Sequence, residues 1–157
     1  MQNITMDNFD LALLETLQQD ANLTNTQLSE AINLSPSQCS RRRTALEKAG
    51  IIEGYRARLH PQKLGYEFQA ITRVNLTTHS EDIAREFSVF VDQNPEIQAA
   101  YSVSGDADYV LLIRTRNLQN FADLVHRKLL PFQYVAQVRS EIVLMSLKED
   151  GGLSLRP

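Results

Sequence analysis

The chain has 157 residues, 43% of them hydrophobic and 22% charged, which is the composition of a soluble globular protein of one or two domains rather than a disordered one. Its formal charge of −3 excludes a protein coated in basic surface, so a nucleic-acid site would have to come from local segregation of charge. One cysteine cannot form an internal disulfide, the N-terminus has no basic run followed by an apolar core, and no apolar run nears the roughly 20 residues of a membrane helix, so a cytoplasmic protein without a membrane partner is expected.

Asp7 or Asn8 can cap a first helix in which Leu13, Leu14 and Leu17 form one inward stripe, and the acidic Asp10 suits its positive start. After a break at Asp20-Ala21-Asn22, Thr24 with Gln27 three residues on predicts a capping box and a second helix with Leu28, Ala31 and Ile32 inward. Asn33-Leu34 makes a turn. Ser35, Pro36 and Gln38 open a third helix with a second Ser-x-x-Gln box and a proline at its first position, and Gly50 ends it in the left-handed conformation. Cys39, Leu46 and Ala49 are expected inward, with Ser37, Gln38, Arg41, Thr44, Ala45 and Lys48 on the opposite face. Helices two and three with so short a join have the spacing of a helix-turn-helix, whose second helix reads the major groove of DNA.

Tyr55, Ala57 and Leu59 then alternate with Arg56 and Arg58, predicting a strand with one basic face, comparable to the wing of a winged helix-turn-helix. Between Arg41 and Arg58 six basic residues stand against two acidic ones, whereas from Glu67 onward nine basic side chains meet twelve acidic ones. His60-Pro61 and Leu64-Gly65 read as a connector.

From Glu67 the periodicity changes to two. Phe68, Ala70, Thr72, Val74 and Leu76 predict a strand, Ile83, Phe87, Phe90 and Val91 a helix stopped by Asn94-Pro95, and Ile97, Ala99, Tyr101 and Val103 a second strand. Gly105-Asp106-Ala107-Asp108 makes a turn into a third strand over 109–115. Asn117 caps a helix carrying Leu118, Phe121, Ala122, Val125 and Leu129, and Val138 to Leu147 is the last strand. This order, βαββαβ, is ferredoxin-like. The last strand is apolar on both sides, with Ile142 and Leu144 against Val143, Met145 and Leu147, so the sheet face without helices needs cover, and a two-fold homodimer supplies it. Glu149-Asp150-Gly151-Gly152 is expected to fray.

Met6-Asp7, Asp10, Leu13-Leu14, Leu17, Leu28, Leu34-Ser35, Arg42, Leu46-Glu47, Gly50-Ile51-Ile52, Gly54-Tyr55 and Leu64-Gly65, in that order, closely resemble the N-terminal half of the Lrp/AsnC family of leucine- and asparagine-responsive transcription regulators. Ser104 to Tyr109 resembles that family's Gly-Asp-x-Asp turn, and Leu129-Leu130-Pro131 and Val138-Arg139-Ser140 fall where its pattern expects them. Arg43, where the family usually has an apolar residue, and Ser140, where threonine is common, depart from the pattern. The resemblance implies an α+β protein: a winged helix-turn-helix over residues 1–59, with the helix-turn-helix at about 24–50, a connector at 60–66, and a ferredoxin-like ligand-sensing and oligomerisation domain at 67–157. It also implies double-stranded DNA as partner, a homodimer assembling into an octamer, no cofactor, and a small amino acid effector bordered by Gly105, Asp106, Ala107, Asp108, Tyr109 and Ser140.

The expected DNA-binding set is Thr24, Ser35, Ser37, Gln38, Arg41, Arg42, Thr44, Lys48, Arg56 and Arg58. Helical phase separates neighbouring arginines by about 100 degrees, so Arg41 is assigned to bases, Arg42 to phosphate or a helix-one carboxylate such as Asp10, and Arg43 to the core edge. Asp108 is expected to grip an ammonium group or to fix the loop that does so. Cys39 is read as a small buried side chain, and His60, His79 and His126 show no metal spacing. No nucleophile–base pair or phosphate-cradling glycine loop supports an enzyme. The rival is a metabolite-binding regulatory subunit of an enzyme, without DNA binding.

Overall fold

Three consecutive helices, each opened by a reciprocal cap, build the N-terminal unit of the computed structural model, which describes residues 6–149 and 151–155. Helix α1 (Asn8–Gln19) starts at Asp7, whose carboxylate accepts the Phe9 and Asp10 N–H groups at 2.9 Å each, while Asp10 accepts the Asp7 N–H at 3.1 Å. Thr24 with Gln27 opens α2 (Asn25–Ile32), and Ser35 with Gln38 opens α3 (Pro36–Lys48), as expected. Gly50 has φ +72, the left-handed turn that ends α3 and lets Ile51 N–H return to the Leu46 carbonyl at 3.0 Å.

Leu13, Leu14, Leu17, Leu28, Ile32, Cys39 and Leu46 form the core of this unit. Two expected inward residues are not there: Ala31 and Ala49 are exposed. Alanine adds little apolar area, so its burial follows neighbouring geometry rather than setting it. Ser29 is buried instead, its hydroxyl satisfied by the Thr26 carbonyl at 2.6 Å.

The C-terminal tail, residues 148–157, groups with residues 1–58 rather than with the preceding domain. Leu153 N–H donates to Gln18 Oε1 at 2.6 Å, Gln18 Nε2 donates back to the Leu153 carbonyl at 3.1 Å, and Leu155 packs on the helical core. Gly152, at φ +67, makes the turn, where a Cβ would also meet Gln18 Oε1 at 3.1 Å. The chain is thus anchored at Leu153 and Leu155, just past the stretch expected to fray, and Gly152 makes the turn into that anchor; Asp150 lies outside the described residues.

The second unit spans Leu59–Leu147. Its strands β1 (Phe68–Leu76), β2 (Ile97–Ser102), β3 (Tyr109–Thr115) and β4 (Val135–Ile142) pair antiparallel in the order β2-β3-β1-β4, with α4 (Glu81–Asp92) and α5 (Leu118–Leu124) as crossovers. The expected single helix ending near Leu129 changes at Val125–Leu129 into a π turn. Ala70, Val74, Leu111, Ile113, Phe87 and Leu129 centre its core, so the helices cover one sheet face. Ile71, Val110 and Leu112, with the opposite side-chain phase, stay outside that cluster.

β4 begins three residues earlier than expected and ends at Ile142. Beyond it Leu144, Met145 and Leu147 are 95%, 73% and 89% exposed. Among the described residues no helix is long and apolar enough to cross a membrane.

Candidate nucleic-acid interface and effector loop

The outer face of α3 is built as helical phase dictates. Ser37, Ser40, Arg41, Thr44, Ala45 and Lys48 line one continuous shallow surface, and Arg41 and Lys48 have no ion-pair partner on it. Ser40 belongs to this surface and was not expected there, although its i, i+4 relation to Thr44 places it. Unpaired cations beside small hydroxyls leave donors directed outward, the chemistry that meets base edges and phosphates.

Thr24, Ser35 and Gln38 are first of all capping residues. Thr24 Oγ1 accepts the Gln27 N–H and Ser35 Oγ the Gln38 N–H, both at 3.3 Å, and Gln38 Oε1 accepts the Ser35 N–H at 3.1 Å. Their contribution to a nucleic-acid face is to hold two helix N-termini in place.

Arg42 turns toward α1. Its guanidinium bridges Asp10 at 2.7 Å and Asp7 at 2.8 Å and lies 5.6 Å from the Phe9 ring centroid, so of its two expected destinations it takes the helix-one carboxylates and clips α3 to α1. The Asp7 carboxyl is held below its ordinary 3.8, foremost by the hydrogen bond from Asp10 N–H; burial opposes this, and Arg42 and the Phe9 N–H add to it. A lowered folded value means that its stabilisation is complete above 3.8 and is lost as pH falls through that lower value. Asp7→Asn keeps a capping oxygen but removes the charge, so it should lower the melting temperature at neutral pH and shrink the acid-side decline. A melting curve series identical to wild type from pH 7 to pH 3 would refute this.

Arg43 lies over the Tyr55 ring, 4.5 Å from its centroid, and its Nε donates to Tyr55 Oη at 2.8 Å and Glu47 Oε1 at 3.3 Å. Tyr55 Oη donates to Glu47 Oε1 at 2.7 Å. Burial first, and the acceptor Glu47 next, push the Tyr55 hydroxyl up, with Arg43 opposing. The expected wing strand does not form within this chain: residues 53–60 carry no ladder hydrogen bond, and Arg56 and Arg58 are exposed on an irregular segment. A period-two sequence makes a strand only where a partner strand supplies the bonds, and none of the four pairs with it.

In the second unit, Gly105 has φ +128 in a loop that joins β2 to β3. Asp108 fixes this loop: its Oδ2 accepts the Leu76 N–H at 2.7 Å, at the register shift between Asn75 and Leu76, and its own N–H reaches Asn75 Oδ1 at 3.1 Å. Asn75 Nδ2 also holds the Asp106 carbonyl at 2.9 Å, leaving the Asp106 carboxylate exposed. Asn75 was not anticipated, because its partners lie in a loop more than 30 residues away. Ala107 is buried at 6% exposure.

Tyr109 packs on Phe87, with centroids 4.5 Å apart, and lines an open cavity of about 460 Å³ between α4 and β2 with Ser88, Val91, Ala100 and Ser102. It is the one member of the expected effector set on that lining. Ser140 sits elsewhere, on edge strand β4 opposite Thr72, whose Oγ1 is 3.0 Å from its hydroxyl. Thr72 lies four residues along β1 from Leu76, where the loop is held.

A family model described as the Lrp/AsnC ligand binding domain matches residues 69–153, and one described as winged helix-turn-helix DNA-binding matches residues 6–53. The chain belongs to the Lrp/AsnC family. This Lrp/AsnC chain is 33% identical over 155 residues to the leucine-responsive regulatory protein of Haemophilus influenzae, covering 99% of the one and 93% of the other. It is 33% identical to a proline dehydrogenase transcriptional activator of Rhizobium radiobacter, covering 93% and 94%. Its fold is similar to a Neisseria meningitidis transcriptional regulator crystallised with L-methionine, with TM-score 0.92, 34% identity and coverage of 96% and 97%. An AsnC family regulator from Agrobacterium tumefaciens gives TM-score 0.90 at 27% identity. These are transcription regulators and not enzymes, so the chain is a DNA-binding regulator with a ligand-binding domain, and the enzyme-subunit reading is set aside.

Proposed function

We propose that this regulator works in the cytoplasm as a homodimer, assembling further toward an octamer, and that a small amino acid shifts its assembly or its grip on DNA. Two recognition helices related by a two-fold would meet a pseudo-palindromic site with half-sites about one helical turn apart. The outer face of α3 carries the DNA part, with Ser37, Arg41, Thr44 and Lys48 as its contacts and Arg42 in a structural place. Support for a dimer comes from the apolar chain ending β4, where Ile142, Leu144, Met145 and Leu147 are all exposed.

The single observation that favours an amino acid is the L-methionine bound by the Neisseria meningitidis relative. In the loop 105–109 the Asp106 carboxylate is the group left to meet an ammonium ion, while Asp108 is occupied by the Leu76 N–H.

A ligand moves such an equilibrium only by binding one arrangement better than another. Thermal melting and light scattering with a panel of amino acids, L-methionine first, should show one of them raising the melting temperature, since a ligand at 100 times its dissociation constant adds about 2.7 kcal/mol. If none changed melting or mass, the effector assignment would fail.

A further inference from the structure

The segment after α3 carries two exposed arginines and no secondary-structure hydrogen bonds, so something else must fix its course. Ile52 still packs on the helical core, and Ile52 N–H reaches the Leu46 carbonyl at 3.3 Å. From Glu53 to Arg58 among the described residues, the tie back to α3 is Tyr55. Its ring lies against the Arg43 guanidinium, and its hydroxyl accepts from Arg43 Nε while donating to Glu47, so one side chain is held by stacking and by two charge-assisted hydrogen bonds.

Arg43 and Glu47 are one helical turn apart, and they bond each other at 3.3 Å as well. The three groups therefore form a closed triangle in which each partner orients the other two. Arg43 and Glu47 use their charge on each other and on Tyr55, whereas Arg41 and Lys48 leave theirs facing out. Tyr55 is thereby held against α3, and Arg56 and Arg58, both exposed, follow this anchor one and three residues further on.

We propose that the Arg43–Tyr55–Glu47 cluster is a positioning device that locks the segment 53–58 to the recognition helix, so that Arg56 and Arg58 meet DNA phosphates in fixed register with it. This rests on the DNA-binding reading of α3. Arg43, Glu47 and Tyr55 are positioning residues, and the contact falls to the two arginines.

The measurement is the slope of log affinity against log salt for a promoter fragment, with melting temperature as a control. Removing two phosphate contacts lowers that slope by about 1.8, the change expected for Arg56→Ala with Arg58→Ala. Tyr55→Phe keeps the ring and the net charge but deletes both hydroxyl bonds; it should lower the slope by a similar amount, and adding it to the double variant should change nothing more. Glu47→Ala is the second variant. It removes a negative charge, which by simple electrostatics would strengthen DNA binding, whereas loss of the clamp predicts a shallower slope. A wild-type slope in both Tyr55→Phe and Glu47→Ala would overturn the proposal, and so would an unchanged slope in the Arg56, Arg58 double variant. Neither result touches the reading of α3, which fails separately if wild type shows no salt-dependent DNA binding or if Arg41→Ala leaves operator binding intact.

Discussion

Leu13→Ala should abolish DNA binding while leaving the ferredoxin-like half folded. Leu13 is 0% exposed and packs with Leu28 at 0%, Cys39 at 0% and Leu46 at 2%. Truncating such a leucine costs about 2–5 kcal/mol, because the lost transfer energy adds to an unfilled cavity. The unit it sits in has 58 residues and a ten-residue tail, which at about 0.05–0.15 kcal/mol per residue holds only some 3–10 kcal/mol of stability. The substitution therefore removes a large share of what keeps α1, α2 and α3 together. The core of Leu59–Leu147, centred on Phe87, Leu111 and Leu129, is a separate cluster and loses nothing directly. Circular dichroism melts should show helix lost at lower temperature while the strand signal persists, and mobility shifts should show no retarded DNA. A single transition at the wild-type temperature would contradict this account.

What was legible in the residues was local. The three N-caps depend on contacts across three positions, and Asp7, Thr24 and Ser35 each bond where a pattern of Ser, Thr or Asp followed by an acceptor places them. The alternation of Ala70, Thr72, Val74 and Leu76 predicts the buried face of β1 because the period of a strand is fixed by its pleat. What escaped was most of what depends on a distant partner, the Arg42–Asp10 contact being the exception. Asp7 beside Arg42 joins positions far apart in the chain, Leu155 fills the N-terminal core from the other end, and Asp108 caps the Leu76 N–H, which points to the β3 side of β1 beyond the last β1–β3 pair, Val74 with Tyr109. The basic alternation after Gly50 was read as a strand because periodicity describes side chains, while a strand is defined by hydrogen bonds to a neighbour that the pattern cannot name. In the loop 105–108 the sequence reading allowed Asp108 either to bind an ammonium group or to fix the loop, and the fold gives it the second by setting the Leu76 N–H beside it.

Arg41→Ala should weaken operator binding about 10- to 100-fold while changing non-specific DNA affinity far less. Arg41 is exposed in the middle of the α3 surface, one turn from Ser37 on one side and beside Thr44 on the other. A bidentate arginine–guanine contact discriminates against the wrong base by about 1–3 kcal/mol, whereas a phosphate contact adds equally to every sequence. Among the described residues its guanidinium has no ion-pair or hydrogen-bond partner, so the melting temperature should hold, unlike that of Arg42→Ala, which strips the shared partner from Asp7 and Asp10. Lys48→Ala gives the contrast on the same face: a point charge near the end of α3 should weaken all sequences alike and lower the salt slope by about 0.9. Titrations of operator and scrambled fragments at two salt concentrations separate these outcomes. If Arg41→Ala weakened both fragments equally and lowered the slope as Lys48→Ala does, Arg41 would be a phosphate ligand. Base reading would then rest on the uncharged groups of the helix, Ser37, Ser40 and Thr44, whose short side chains reach a base edge only if α3 lies deep in the groove.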